Sequence, residues 1–141
     1  MVKKRQTENV IQILKEKGLR VTPQRFSVYA YLLSSSDHPN AEQILQDLNK
    51  DFPVTSQATI YSSLQALKEV GLIKEVLLEE SASRYEANMQ PHHHFLCDSC
   101  GVIEDIAWEM FEVSGIEKLR QGLQTKSYEV IVRGICDRCN A

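Results

Sequence analysis

Cysteine spacing limits this chain more than any other feature. Its four cysteines form two Cys-x-x-Cys pairs, Cys97 with Cys100 and Cys136 with Cys139, separated by roughly a small subdomain of chain. Two such pairs read as a four-thiolate zinc site. A site of that kind is closed and tetrahedral, so it staples a fold and catalyses nothing. Two disulfides are the competing reading, and they need an oxidising compartment. Met1, Val2, Lys3, Lys4 and Arg5 lead straight into an amphipathic pattern, with no apolar core of a secretory signal. The expectation is a cytoplasmic protein whose thiols stay reduced and hold structural zinc (Zn2+).

Once four sulfurs fill that site, the histidines just upstream are left for another purpose. His92, His93 and His94 follow Pro91. On an extended segment His92 and His94 project to one side and His93 to the other. A solvated turn is the bland reading of the triplet; the alternation favours a second metal site.

At 141 residues the chain fits one ordinary domain or two small ones. No apolar run approaches the length of a membrane span. The net charge of −3 is unevenly spread. Lys3, Lys4, Arg5, Lys15, Lys17, Arg20 and Arg25 face only Glu8 and Glu16 in the first 25 residues, whereas acidic groups outnumber basic ones after residue 88. One positive end on an acidic chain suggests a polyanionic partner for that end, against the plainer reading of a solvated helix surface.

Val10, Ile11, Ile13 and Leu14 predict a first helix over residues 7–17, stopped by Gly18. Thr22 and Pro23 open a second helix as N-cap and first-turn proline. Asn40 caps a third, with Gln43 placed to complete a capping box. Thr55 or Ser56 caps a fourth, which runs to Gly71 with Ile60, Leu64 and Leu67 on its inner stripe. Its outer face, around Ala58, Ser62 and Gln65 with Tyr61 on the flank, is small and neutral, which suits close approach to base edges. Residues 72–78 and 83–87 read as a β-hairpin turning at 79–82. Helices followed by a hairpin spell a winged helix-turn-helix over residues 1–87. A hinge is expected at 88–91. Residues 92–141 are expected to form a small α/β domain: strands at 95–96 and 102–106, a helix over 108–121 with Met110, Val113, Ile116 and Leu119 inward, and a last strand over 128–133. A core so small calls for a zinc staple and for dimerisation.

Several motifs match one family in order and context. They are Gly18-Leu19-Arg20-Val21-Thr22-Pro23-Gln24-Arg25, His38-Pro39, Ala58-Thr59-Ile60-Tyr61, His92-x-His94-x-x-Cys97-x-x-Cys100-Gly101 and Cys136-x-x-Cys139. Over nearly its whole length the chain resembles the ferric uptake regulator family of bacterial metal-dependent repressors. The resemblance implies an α+β chain: a winged helix-turn-helix DNA-binding domain, then a small α/β dimerisation domain with a four-cysteine zinc site, and a regulatory metal between them. Carried over by position, the regulatory ligands are His38, Glu86, His92, His94 and Asp105. Three imidazoles and two carboxylates without a thiolate suit Fe2+, Mn2+ or Co2+ more than a zinc-only site, and Fe2+ or Mn2+ is the expected regulatory ion.

The resemblance also implies a homodimer on an AT-rich palindromic operator, with Tyr61 and Ser62 at bases and Arg20 near the minor groove or backbone. Ser62 and Ser63 stand where other members often have Arg or Asn, so readout leans on thymine-methyl contacts from Ala58 or Thr59 and on DNA shape. Asp105 matches the peroxide-responsive members, in which a ligand histidine is oxidised; His38 and His92 are the candidates here. Glu86 departs from those members, which usually have aspartate there, so an iron-responsive uptake regulator stays as the alternative. Zinc-uptake regulators tend to place a cysteine at the position of Glu86, and they rank below both. Outside the family, a metal hydrolase would need a pocket and an acid–base group that the sequence does not offer. A zinc-stapled adaptor that binds only protein would show no metal-dependent DNA binding.

Overall fold

The computed structural model describes residues 4–76 and 83–140. The chain divides into two compact units, Met1–Met89 and Gln90–Ala141. The turn expected at 79–82, together with residues 77 and 78 of the expected hairpin, lies outside the described residues.

The first unit is built from four helices: α1 (Lys4–Glu16), α2 (Pro23–Ser34), α3 (Ala41–Leu48) and α4 (Gln57–Glu69). Each of the last three starts where a polar side chain closes on the first helical turn. Thr22 accepts from the Arg25 amide, and Ser56 from the Thr59 amide. Asn40 and Gln43 form the complete reciprocal box: the Asn40 carboxamide accepts from the Gln43 amide at 2.8 Å, and the Gln43 side chain accepts from the Asn40 amide at 2.9 Å. These bonds satisfy amides that the helix itself cannot. Beyond α4, Gly71 takes φ +77°, a left-handed turn that a side chain would strain.

The apolar stripes of all four helices meet in one core. Val10 and Leu14 of α1, Val28, Tyr29 and Leu32 of α2, Ile44 of α3 and Ile60, Leu64 and Leu67 of α4 are all buried, with Leu72, Ile73 and Tyr85 closing the far side. Each such side chain contributes about 1.5–3 kcal/mol by leaving water. Two short antiparallel strands follow, β1 (Lys74–Val76) and β2 (Arg84–Glu86), with Lys74 opposite Glu86. The start of α3 docks on β2 through the Asn40–Arg84 bridge and a 3.0 Å bond from the Tyr85 amide to the Pro39 carbonyl. Four helices and a strand pair in this order make the winged helix-turn-helix expected from the sequence.

The second unit is a three-stranded sheet in the order β4-β3-β5. Strand β3 (His92–Cys97) lies between β4 (Ile103–Ala107), antiparallel to it, and β5 (Ile131–Gly134), parallel to it. The helix expected over residues 108–121 does not form. Two single 3-10 turns, Trp108–Met110 and Ile116–Lys118, stand there instead. Gly115 breaks the segment at φ +96°, and Met110 and Leu119 are exposed. A repeat of apolar residues makes a helix only where a surface covers its stripe, and among the described residues nothing covers Met110 or Leu119. The last strand is shorter than expected, but its alternation holds from Tyr128 to Arg133, with even-numbered residues half-buried and odd-numbered ones exposed.

Asn40→Ala removes the acceptor half of the capping box. It should lower the unfolding free energy by about 1 kcal/mol, measurable by urea titration of far-UV circular dichroism, whereas Gln46→Ala on the exposed side of the same helix should change it by less than about 0.5 kcal/mol.

Candidate metal centres and nucleic-acid interface

The cysteine cluster arises where the β3–β4 turn meets the tail. Strand β3 ends at Cys97, and a tight turn returns the chain through a 2.9 Å bond from the Gly101 amide to the Cys97 carbonyl, with Gly101 at φ +77°. The parallel pairing of β3 with β5 carries Cys136 to the same place: the Asp98 amide donates to the Gly134 carbonyl at 2.7 Å. The second pair turns likewise, with the amides of Cys139 and Asn140 both donating to the Cys136 carbonyl.

All four sulfurs lie within 4.8 Å of one another, and none is in a disulfide. Cys100 Sγ and Cys136 Sγ are 3.7 Å apart. Four thiolates about 2.3 Å from a common zinc stand about 3.8 Å from one another, so the spacing fits that ion. The amides of Cys100 and Cys136 point at Cys97 Sγ at 3.5 and 3.4 Å. These donors hold the Cys97 thiol down to about 6, on the thiolate side that zinc requires.

Strand β3 splits the histidine triplet between its two faces. His93 is fully buried on one face, stacked on Trp108 with ring centroids 4.7 Å apart and flanked by Phe111 and Tyr128. Its Nδ1 accepts from the Val130 amide at 2.9 Å, so the proton sits on Nε2, which lies 3.3 Å from the Trp108 carbonyl. Both nitrogens are engaged, and His93 is a packing residue.

On the other face His92 and His94 pack edge to face, with ring centroids 4.6 Å apart. The β3–β4 register sets Asp105 directly opposite His94. Asp105 Oδ1 lies 3.4 Å from His92 Nε2 and 3.5 Å from His94 Nε2. Donors about 2.1 Å from a shared ion stand about 3.0–3.4 Å apart, so the three groups need move little to share one. His92 Nδ1 lies 2.6 Å from the Gln90 carbonyl, which leaves Nε2 its lone pair.

In the first unit the remaining two predicted ligands meet. His38 Nε2 lies 2.9 Å from Glu86 Oε2, and both side chains are buried. The strand pairing explains the encounter: Arg84 holds the His38 carbonyl at 3.2 Å and Tyr85 holds that of Pro39, which sets residue 38 beside the end of β2. Lys74, the partner of Glu86 across the hairpin, reaches Glu86 Oε1 at 3.2 Å. His38 takes φ +51°, the one positive φ on a residue other than glycine among the described residues. That conformation costs of order 1 kcal/mol or more and persists only where its surroundings hold it, as at functional positions.

Four of the five predicted DNA-reading residues, Ala58, Thr59, Tyr61 and Ser62, lie on α4. Ala58, Tyr61 and Ser62 are exposed along one side of that helix, with Tyr61 at 50%. The two hydroxyls are not idle: Ser62 Oγ donates to the Thr59 carbonyl, and Thr59 Oγ1 sits 3.0 Å from the capping Ser56 Oγ. Such local bonds leave the Thr59 methyl, Ala58 and the Tyr61 ring as the outward chemistry. Arg20 is exposed at the α1–α2 turn, where its carbonyl is held by Arg25 Nη1 at 2.9 Å. Gln57, exposed at the first helical position of α4, is not singled out by its sequence; its place at the exposed start of the helix does so.

Comparison with known proteins gives consistent matches. The family model for the ferric uptake regulator family matches residues 16–133. The peroxide-responsive repressor PerR of Staphylococcus aureus (strain Mu50) is 37% identical over 135 residues, covering 94% of this chain and 90% of that protein. The peroxide stress regulator of Campylobacter jejuni superposes with a TM-score of 0.71 at 29% identity, covering 92% of this chain and 98% of the other. The Helicobacter pylori ferric uptake regulator superposes at 0.72 with 23% identity, covering 100% and 98%, a likeness of fold.

Cys136→Ser should release zinc and leave the second unit unable to fold. The expected signature is loss of one equivalent of zinc by metal analysis together with loss of near-UV circular dichroism from Trp108; a zinc-free variant that keeps that signal would contradict the stapling role.

Proposed function

Because this chain belongs to the ferric uptake regulator family, we propose that it is a dimeric, metal-dependent DNA-binding repressor of the peroxide-responsive kind. The observation that supports this most is the gathering of His92 and His94 about Asp105 Oδ1, all nitrogen and oxygen donors, on a strand whose end carries the separate thiolate site. With sulfur confined to the zinc site, the remaining donors favour Fe2+ or Mn2+. In this reading His38 and Glu86 complete the shell, so that one ion is held by both units across residues 88–91. Such an ion stabilises the arrangement that fits DNA and leaves others less populated.

Two copies of α4 then enter successive major grooves of an AT-rich palindrome. Ala58 and the Thr59 methyl meet thymine methyls, Tyr61 and Ser62 approach base edges, and Arg20 meets the backbone or minor groove. Discrimination comes partly from DNA shape, because the hydroxyls of Thr59 and Ser62 are already engaged on the helix.

Fe2+ held by these residues would supply the one-electron chemistry that cleaves the peroxide O–O bond, with no net change at the ion. The ring of His38 or His92 would give up the two electrons: one ring C–H becomes C–OH, the other peroxide oxygen leaves as water, and the altered ring ligates less well. Repression then ends by self-modification, without turnover. Asp105 and the relationship to PerR support this branch; an iron-responsive uptake regulator is the second reading, favoured by Glu86.

Two measurements test this. His38→Ala should keep the zinc and the fold but lower Mn2+-dependent affinity for an AT-rich palindrome at least tenfold, about 1.4 kcal/mol, in a gel shift run with and without chelator. Unchanged binding would remove His38 from the switch, and binding that ignores chelator would favour the protein-only adaptor. Iron-loaded protein given peroxide should gain one oxygen on a peptide containing His38 or His92, with the manganese-loaded protein unmodified. Mass spectra without that gain would favour the iron-responsive regulator.

A further inference from the structure

His94 is held between two carboxylates, one for each ring nitrogen. Nε2 faces Asp105 Oδ1 at 3.5 Å. Nδ1, on the far side of the ring, faces Glu129 Oε1 at 3.9 Å. The second approach follows from the sheet. The His94 amide donates to the Val130 carbonyl at 3.1 Å, and the parallel register pairs His94 with Ile131. The residue just before Val130 is thereby carried alongside the His94 ring. His94 is buried there, while Glu129 is partly exposed.

We propose that Glu129 is a positioning residue that fixes the tautomer and orientation of His94, so that its Nε2 is presented to the regulatory ion. The inference rests on the reading of His94 as a ligand. A neutral imidazole carries one proton, and it binds a cation through the other nitrogen. An acceptor beside Nδ1 keeps the proton there and leaves the Nε2 lone pair for the metal; a negative acceptor also makes that lone pair more basic. The neighbouring ligand shows the same logic with a neutral acceptor, since His92 Nδ1 lies 2.6 Å from the Gln90 carbonyl. His93, between them on the strand, is held in the opposite form by the Val130 amide and does not ligate.

A separation of 3.9 Å is ion-pair contact and longer than a hydrogen bond. A partly exposed glutamate side chain can close that gap by rotation about its own bonds. Glu129 stands across the ring from the ion-facing nitrogen, so it acts through His94 and is not a further ligand.

The test measures Mn2+ affinity of the zinc-loaded full chain by calorimetry, alongside the visible absorption bands of the Co2+-substituted protein. Glu129→Gln, which keeps an acceptor but removes the charge, should weaken Mn2+ binding less than Glu129→Ala, which should weaken it about 10–100-fold. The Co2+ bands should shift in Glu129→Ala, while zinc content and thermal midpoint stay as in the parent. Parent-like Mn2+ affinity and Co2+ bands in Glu129→Ala, with His94→Ala no longer binding Mn2+, would overturn the inference and leave the ligand set standing. Parent-like binding by His94→Ala would overturn the ligand set, and the inference with it. Loss of zinc or of thermal stability in Glu129→Ala in step with the Mn2+ loss would make Glu129 a scaffold residue and overturn the proposal.

Discussion

Strand β3 is the element on which the second unit depends. It is paired on both edges, so its register is fixed from two sides and a slip by one residue would turn every side chain over. That register separates three consecutive histidines. His93 goes to the packed face with Trp108, while His92 and His94 go to the face where β4 supplies Asp105. The backbone and side-chain partners then give the rings different protonation patterns: the Val130 amide faces His93 Nδ1, and the Gln90 carbonyl faces His92 Nδ1. One strand thus makes a packing histidine and two histidines turned toward Asp105 out of identical residues.

The same strand runs directly into the thiolate cluster at Cys97, so the two chemistries are mechanically joined. Zinc at four sulfurs would hold the end of β3 against the start of the tail, and through that contact keep β5 parallel to β3. A sheet this small buries too little apolar surface to be secure alone. A structural ion there would contribute stability to the scaffold, and the sulfur-free donors nearby would be left to a second one. This division of soft and hard donors would let one short segment serve two metals without confusion.

Much of this is legible in the residues because local chemistry dictates it. Thr22, Asn40 and Ser56 cap helices whatever lies beyond them, and the cysteine pairs admit few geometries. The resemblance supplies the pairing of His38 with Glu86, which spacing alone does not give, since it depends on the docking of Pro39 and Asn40 onto β2. The segment after Trp108 reads as a helix and does not form one, for the opposite reason. Its apolar repeat is genuine, but Gly115 interrupts it and, among the described residues, nothing covers Met110 or Leu119. Glu129 gives no signal in the sequence, because only the parallel register of β5 brings it to His94.

The central claim is that a single ion is shared between His38 and Glu86 of the first unit and His92, His94 and Asp105 of the second. Paramagnetic broadening tests it directly, with Mn2+ titrated into zinc-loaded protein while histidine ring resonances are followed by NMR. The account predicts that the rings of His38, His92 and His94 broaden together and completely by one equivalent. Broadening of His92 and His94 with His38 left sharp would contradict it.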